Sequence, residues 1–438
     1  MVIIDLFSGA GGLSEGFHKE GYNIVAQVEK DSWACETLKT RTIFYELQKN
    51  NDLELYNKYV QGKKTYKNIE SSRDEIFEKY DYLREKLSYE IINKKFGNPA
   101  NDKEATSSRD IVQLINNSLN YHKVNSVNMI IGGPPCQAYS LVGRSRMGVN
   151  AEKDNRNFLF YYYLGIVKEY APEMFIFENV PGILSAKKGE VFKAIQEEFD
   201  KIGYTIMSGE DSNHNKNIIN FADYGVPQNR KRVLLFGFKN GRNLTYPNYS
   251  KFKVDWQHDL TTQNVISDLC KLNPGEGVDF GSLEYNLTND LNRFQVSMRE
   301  SSQVILNHKA RPIQERDRQI YKIAIDKTKK GEKLKYPDLP ANLKTHKNEK
   351  SFIDRFKVHG ENEIPHTVVA HISKDGHYNI HYDLQQTRSL TVREVARIQT
   401  FPDNFFFEGP RTAQYVQVGN AVPPLMSEIV AKSIKYLQ

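Results

Sequence analysis

The sequence predicts an α/β protein: a doubly wound, mostly parallel sheet joined to a second, smaller domain. Three observations carry that prediction. Short apolar runs alternate with longer amphipathic stretches through residues 1–240. These runs are rich in Val, Ile and Phe and end in Gly, Pro or Asn, as strands buried on both faces do. After about residue 245 the alternation stops, and irregular Asn/Asp/Pro punctuation takes over.

Taken in order, the strand candidates are VIIDLF, NIVAQVE, NMIIGG, MFIFENV and RVLLFGF. Crossover helices between them make a parallel sheet, whose functional residues gather at the carboxyl ends of the strands. Residues 41–106 break the rhythm with a Lys-, Glu-, Asn- and Tyr-rich stretch. They read as a helical insertion between the second and third strands, a surface elaboration ending in a loop near Asn98–Ser108. Residues 1–245 are thus one domain, 246–387 a second, and 388–438 an amphipathic helix followed by a turn and a further helix.

Composition excludes several classes. Cys35, Cys136 and Cys270 are too few for a disulfide framework, and no CxxC or His-rich spacing suggests a metal. The start MVIIDLFSG runs into a strand without a basic leader, and no long apolar stretch follows. A soluble, cytoplasmic protein is the expectation. The net charge of +6 is weak, but residues 309–360 hold 15 Lys/Arg against 7 Asp/Glu, leaving about −2 for the rest. That local excess, interleaved with Tyr, Phe and His, suits either a solvated face or a polyanion surface.

DLFSGAGGLSEGF follows the first strand and opens a helix. A dinucleotide fingerprint would need Gly at the third position counted from Gly9 and Gly11, and Ser14 stands there. The turn still brings backbone amides close to a ligand, and a helix N-terminus favours an anionic group such as a carboxylate. Glu29 ends the next strand, where an acidic side chain takes ribose hydroxyls. A nucleoside with a carboxylate and no required pyrophosphate suits S-adenosylmethionine; a purely structural glycine turn is the alternative.

Cys136 stands behind two prolines in GGPPCQAYS, at a strand-edge turn that presents the thiol. A thiolate there needs nearby positive charge, and Arg230 and Arg232 in QNRKRV supply it if the strand ends converge. Glu178 in FIFENV sits between an apolar strand and a Pro-Gly turn, where partial burial raises a carboxyl's pKa. Such an acid can donate to a ring nitrogen.

The ordered set DLFSGAGG, GGPPCQAYS, ENV, QNRKRV, RSLTVREVARIQTFP and QVGNAVPP resembles the DNA (cytosine-5) methyltransferases of bacterial modification systems. The resemblance covers most of residues 1–240 and 388–438. It implies a Rossmann-like methyltransferase core that uses S-adenosylmethionine, and Cys136, Glu178, Arg230 and Arg232 as the catalytic set. Phe7, Gly9, Gly11, Glu29, Asp110, Ile111, Pro135, Leu159 and Asn420 would form the cofactor pocket. Gln137, Ser140 and Arg156 would touch the DNA backbone near a flipped base, and 246–387 would be the target-recognition domain. Double-stranded DNA is the implied substrate, with a restriction endonuclease acting on the same site as a companion and a monomer as the working unit. Many family members carry an aromatic residue right after the ribose-binding acid; here Lys30 stands there, with Trp33 one helical turn on. A transfer-RNA cytosine methyltransferase and a non-catalytic DNA-binding regulator remain alternatives. A cysteine hydrolase lacks a suitably placed His.

Overall fold

The computed structural model describes residues 1–134, 159–209, 218–242, 244–256, 260–286, 290–300, 302–344, 350–351 and 353–437. An eight-stranded sheet organises the first half. Its strands are β1 (Val2–Leu6), β2 (Asn23–Glu29), β3 (Ile91–Asn93), β4 (Met129–Gly132), β5 (Met174–Asn179), β6 (Tyr204–Met207), β7 (Ile219–Asn220) and β8 (Lys231–Lys239). Their order is β3-β2-β1-β4-β5-β8-β6, with β7 paired beside β8. The pairs from β3 to β5 are parallel, whereas β8 runs antiparallel to β5, β6 and β7. Strand order reverses between β1 and β4, which opens a crevice outside their carboxyl ends.

Both sheet faces are covered. On one, Ile4, Leu6, Ile130, Phe175 and Phe177 pack with Ile111, Ile115, Tyr163, Ile166 and Phe199 from crossover helices. On the other, Ile3, Ile131 and Ile176 meet Phe17 of the first helix (Gly12–Lys19) and Ile429, Val430 and Ile434 of the last (Pro424–Lys435). The chain's end therefore packs on its beginning. At Gly16 a Cβ would lie 2.1 Å from Glu428 N, so only glycine permits this approach.

The insertion is less superficial than its composition suggests. Its last part forms β3, which pairs with β2 and extends the sheet. Its helices bury Leu55, Tyr56, Tyr59 and Phe77 against Leu306 and Phe406. Lys63 Nζ lies 2.5 Å from Glu408 Oε2, and Arg73 bonds Glu36 Oε2 at 2.6 Å, with all four charged groups largely buried. Glu408, which Lys63 pairs with, lies near the other end of the chain, so the composition of the insertion does not announce this burial.

Beyond the sheet, two further cores form. One joins Val265, Ile266, Leu269, Phe294 and Ile305 to Val368, Leu390, Val395, Phe401, Phe407 and Tyr415. The other, built from Ile320, Tyr321, Ile325, Tyr336, Phe356 and Val358, stands apart. Among the described residues, no helix is long and apolar enough to cross a membrane.

Candidate active site

A cleft of about 1080 Å³ opens at the carboxyl ends of β1, β2, β4 and β5 and the start of β8. Phe7, Ser8 and Gly9 enter it directly after β1. Phe7 and Gly9 hold left-handed φ of 58° and 55°, and Gly11 caps the first helix at φ 84°. Glu29 locks this turn to β2: its Oε2 accepts from Gly9 N at 2.9 Å, and its Oε1 accepts from Lys30 N and Asp31 N at 2.8 Å. Burial raises the Glu29 pKa against the pull of these amides.

Asp5 forms the floor. Ser14 Oγ donates to its Oδ2 at 2.5 Å and in turn accepts from Gln27 Nε2 at 2.8 Å. Its Oδ1 is buried and has no hydrogen-bond partner among the described residues. Burial pushes the carboxyl up to about 7, opposed by the Ser14 and Ser8 hydroxyls.

Leu159 and Asn420 line the same cleft. Asp110 and Ile111 do not. Ile111 is fully buried in the sheet's core, and Asp110 is exposed where the Ser107 hydroxyl donates to it at 2.7 Å. Both lie in the first turn of the helix Ser108–Tyr121, which aims Ile111 inward; only Ser108 from this turn lines the wall, beside Phe96, Gly97, Asn98, Asn101 and Asp102. Lys30 lines the cleft, whereas Trp33 turns away to contact Tyr66 and Gly409. Aromatic rings on the wall include Phe7 and Phe96, with centroids 5.2 Å apart, and Tyr161 and Tyr162.

Across the cleft, β5 and β8 bring Glu178 and Arg232 together. Leu234 is opposite Glu178 in the antiparallel register, so Arg232 projects diagonally toward it. Arg232 Nε lies 2.7 Å from Glu178 Oε1, an ion pair whose geometry falls short of a hydrogen bond. Each side chain keeps 13 % exposure. The acid, partly buried at the end of β5, thus faces a cation. Asn179 Nδ2 donates weakly to Pro134 O at 3.4 Å, tying the end of β5 to the segment after β4. Pro135, Cys136, Gln137, Ser140 and Arg156 lie outside the described residues.

Arg230 differs from the paired role predicted for it. It is buried; its Nη1 donates to Val368 O and its Nη2 to Ala421 O, both at 3.1 Å. Burial and the neighbouring Arg232 draw its pKa down to about 9, with Glu178 opposing. Arg230 lies just ahead of β8 and braces carbonyls of two other segments, which an alternating QNRKRV pattern does not announce. Sequence reading also missed Asp5, Phe96 and the buried Gln228.

The sequence profile of the C-5 cytosine-specific DNA methylase family matches residues 1–80 and 86–436. The chain belongs to that family. It is 60% identical over 438 residues to the Type II methyltransferase M.Bpa9945I of Bacillus paralicheniformis, covering 99% of this chain and 98% of the relative. It is 30% identical to the Type II methyltransferase M.DdeI of Desulfomicrobium norvegicum, over 100% of this chain and 89% of that one. The crystal structure of a putative DNA modification methyltransferase encoded within an E. coli prophage shares the fold. Its TM-score is 0.59 at 19% identity, covering 100% of this chain and 99% of that one. The protein is thus a DNA (cytosine-5) methyltransferase of the type II modification class, with a Rossmann-like α/β core. In this DNA methylase the cleft joins the glycine turn, Glu29 and the Glu178–Arg232 pair in one space.

Proposed function

We propose that this DNA methylase transfers a methyl group from S-adenosylmethionine to C5 of a flipped cytosine within a specific short duplex site, through a covalent Cys136–C6 adduct. The observation that carries the reading is the shared cleft: Glu29 with its glycine turn on one side, Glu178 with Arg232 on the other.

The residues present fit the cofactor. Glu29 supplies a carboxylate for ribose hydroxyls, and the Gly9–Gly11 turn and helix N-terminus suit its carboxylate. Phe7, Phe96 and Leu159 offer apolar wall, and Asn420 an amide. The unpartnered Asp5 oxygen marks a place on the floor where a donor is wanted. When bound, the cofactor supplies an electrophilic methyl on a sulfonium.

Cytosine C5 is a weak nucleophile until the ring is activated. The Cys136 thiolate adds at C6, forming the S–C6 bond and moving electron density to C5. Glu178 holds a proton at N3, and Arg232 stabilises negative charge at O2. Methylation at C5 is followed by loss of the C5 proton and expulsion of the thiolate. A stacked base exposes none of these atoms, so the target leaves the duplex first. Gln137, Ser140 and Arg156 then hold the DNA backbone, and residues 246–387 read the site, their basic stretch meeting phosphates. The protein works as a cytoplasmic monomer, paired with a restriction endonuclease for the same site.

The test is 5-methylcytosine mapping by conversion sequencing in a methylation-free host. Wild type should mark one cytosine within one short motif, and Cys136→Ala should mark none. A blank map from soluble wild-type protein would reject the reading.

A further inference from the structure

Three consecutive residues ahead of β8 hold together segments that are far apart in sequence. Gln228 is buried; its Oε1 accepts from Val368 N at 2.9 Å, and its Nε2 donates to Gln399 Oε1 at 2.9 Å. Asn229 N donates to Pro365 O at 2.9 Å, and its carbonyl accepts from Thr367 Oγ1 at 2.5 Å. Arg230 then spans Val368 O and Ala421 O. Val368 is therefore gripped through both its N–H, by Gln228, and its C=O, by Arg230.

The two segments joined in this way both reach the cleft. Val369 and Ala370 line it on the side where the chain returns from the separate second-half core. Gly419, Asn420 and Ala421 line it beside the cofactor-binding wall. The segments touch so closely that a Cβ at Gly419 would sit 2.4 Å from Ala370 N. Arg230 lies in the same wall, and its Nε is buried without a partner among the described residues. A planar guanidinium fixes the separation and angle of the two carbonyls it bridges, which a flexible ammonium does not. A buried cation that meets only neutral carbonyls and leaves one donor idle is poorly explained as a stabilising device.

We propose that Arg230 is a positioning residue that couples the 365–370 segment, on the DNA-reading side, to the 419–421 loop on the cofactor side, so that duplex and cofactor each tighten the binding of the other. This rests on the cofactor reading of the cleft given above. A ligand that fixes either segment fixes the guanidinium and, through it, the other segment. The linkage is reciprocal by thermodynamic necessity.

The experiment measures S-adenosylhomocysteine affinity by calorimetry on the full chain, with and without a saturating duplex carrying the mapped site. In wild type the duplex should tighten S-adenosylhomocysteine binding by roughly tenfold, within the usual range of such couplings. Arg230→Met should reduce that ratio to below about twofold, while changing affinity for the probe alone much less. Arg230→Lys should behave like Arg230→Met, because it keeps the charge and loses the two-carbonyl bridge. Full coupling in either variant overturns the proposal, as does absence of coupling in wild type. If both Arg230 variants fail to fold, Thr367→Val, which removes only the hydroxyl bond to Asn229, should lower the ratio two- to threefold, and an unchanged ratio overturns the proposal. Wild type that binds the duplex but not the probe would instead place the failure in the cofactor reading.

Discussion

Two regions of this DNA methylase bury arginines among carboxylates, and they do so in opposite ways. In the C-terminal segment every buried guanidinium is saturated. Arg388 meets Glu394 through two bonds of 2.7 and 2.8 Å, and adds Leu272 O and Gln386 Oε1. Arg393 donates to Leu306 O, Pro402 O and Phe405 O. Arg397 clamps Asp403 and Asp268 together and reaches Val265 O. At the cleft, among the described residues, Arg230 keeps an idle Nε, Asp5 an idle Oδ1, and the Glu178–Arg232 pair is not closed into hydrogen bonds. Saturated charge holds structure; unsaturated charge is available to a ligand. The motif RSLTVREVARIQTFP resembles the family as strongly as QNRKRV does, yet its arginines are a scaffold.

The largest effect should come from breaking the scaffold. Arg397→Met leaves Asp268 and Asp403 buried with their main counter-charge gone, and should cost about 3–5 kcal/mol in denaturant unfolding. Loss below 1 kcal/mol would erase the contrast between the two regions. Arg232→Met should do the reverse, lowering kcat by about 10²–10³ with a melting temperature near that of wild type. A comparable loss of stability would make Arg232 one more scaffold arginine.

Asp5 sharpens the comparison through pH. Its folded pKa of about 7 lies above its ordinary value, so the folded state retains a proton that the unfolded chain has released. Stability must therefore fall as pH rises from about 4 to 7, by at most roughly 1.4 kcal/mol per unit from this group. Asp5→Asn should remove that slope, read from urea midpoints across the window. Glu394 shows the opposite sign: although burial opposes it, Arg388 holds its pKa well below the usual carboxylate range. Its contribution is present above the ordinary glutamate pKa and is lost as pH falls through the folded value. The smallest effect should come from the exposed pair Lys58–Glu75 on the insertion, where Lys58→Ala should change stability by less than about 0.5 kcal/mol in the same unfolding assay.

Much of this was legible in the chain. The five apolar runs correspond to β1, β2, β4, β5 and β8 because strands covered on both faces need uninterrupted Val, Ile and Phe. The edge strands β3 and β6 escaped notice because three or four residues carry too little period to read. The antiparallel direction of β8 depends on its connections, not on its composition. Glu29, Phe7, Leu159 and Asn420, singled out from separate motifs, line one cleft. Trp33, whose place the sequence left open, packs instead against Gly409, a neighbour that only the folded chain reveals. Arg230 and Arg232 look equivalent in sequence; what separates them is that Val368 and Ala421 arrive beside one and Glu178 beside the other.

The most direct test of the division between working and holding arginines is covalent capture on a duplex containing 5-fluorocytosine at the mapped position, with S-adenosylmethionine present. The rate of denaturation-resistant adduct formation would be followed at a temperature where every variant is folded. Wild type should form the adduct and Cys136→Ala none; Arg232→Met should be slowed by about a hundredfold, and Arg388→Met should stay near the wild-type rate. Capture by Cys136→Ala, or an Arg388→Met defect equal to that of Arg232→Met, would contradict the account.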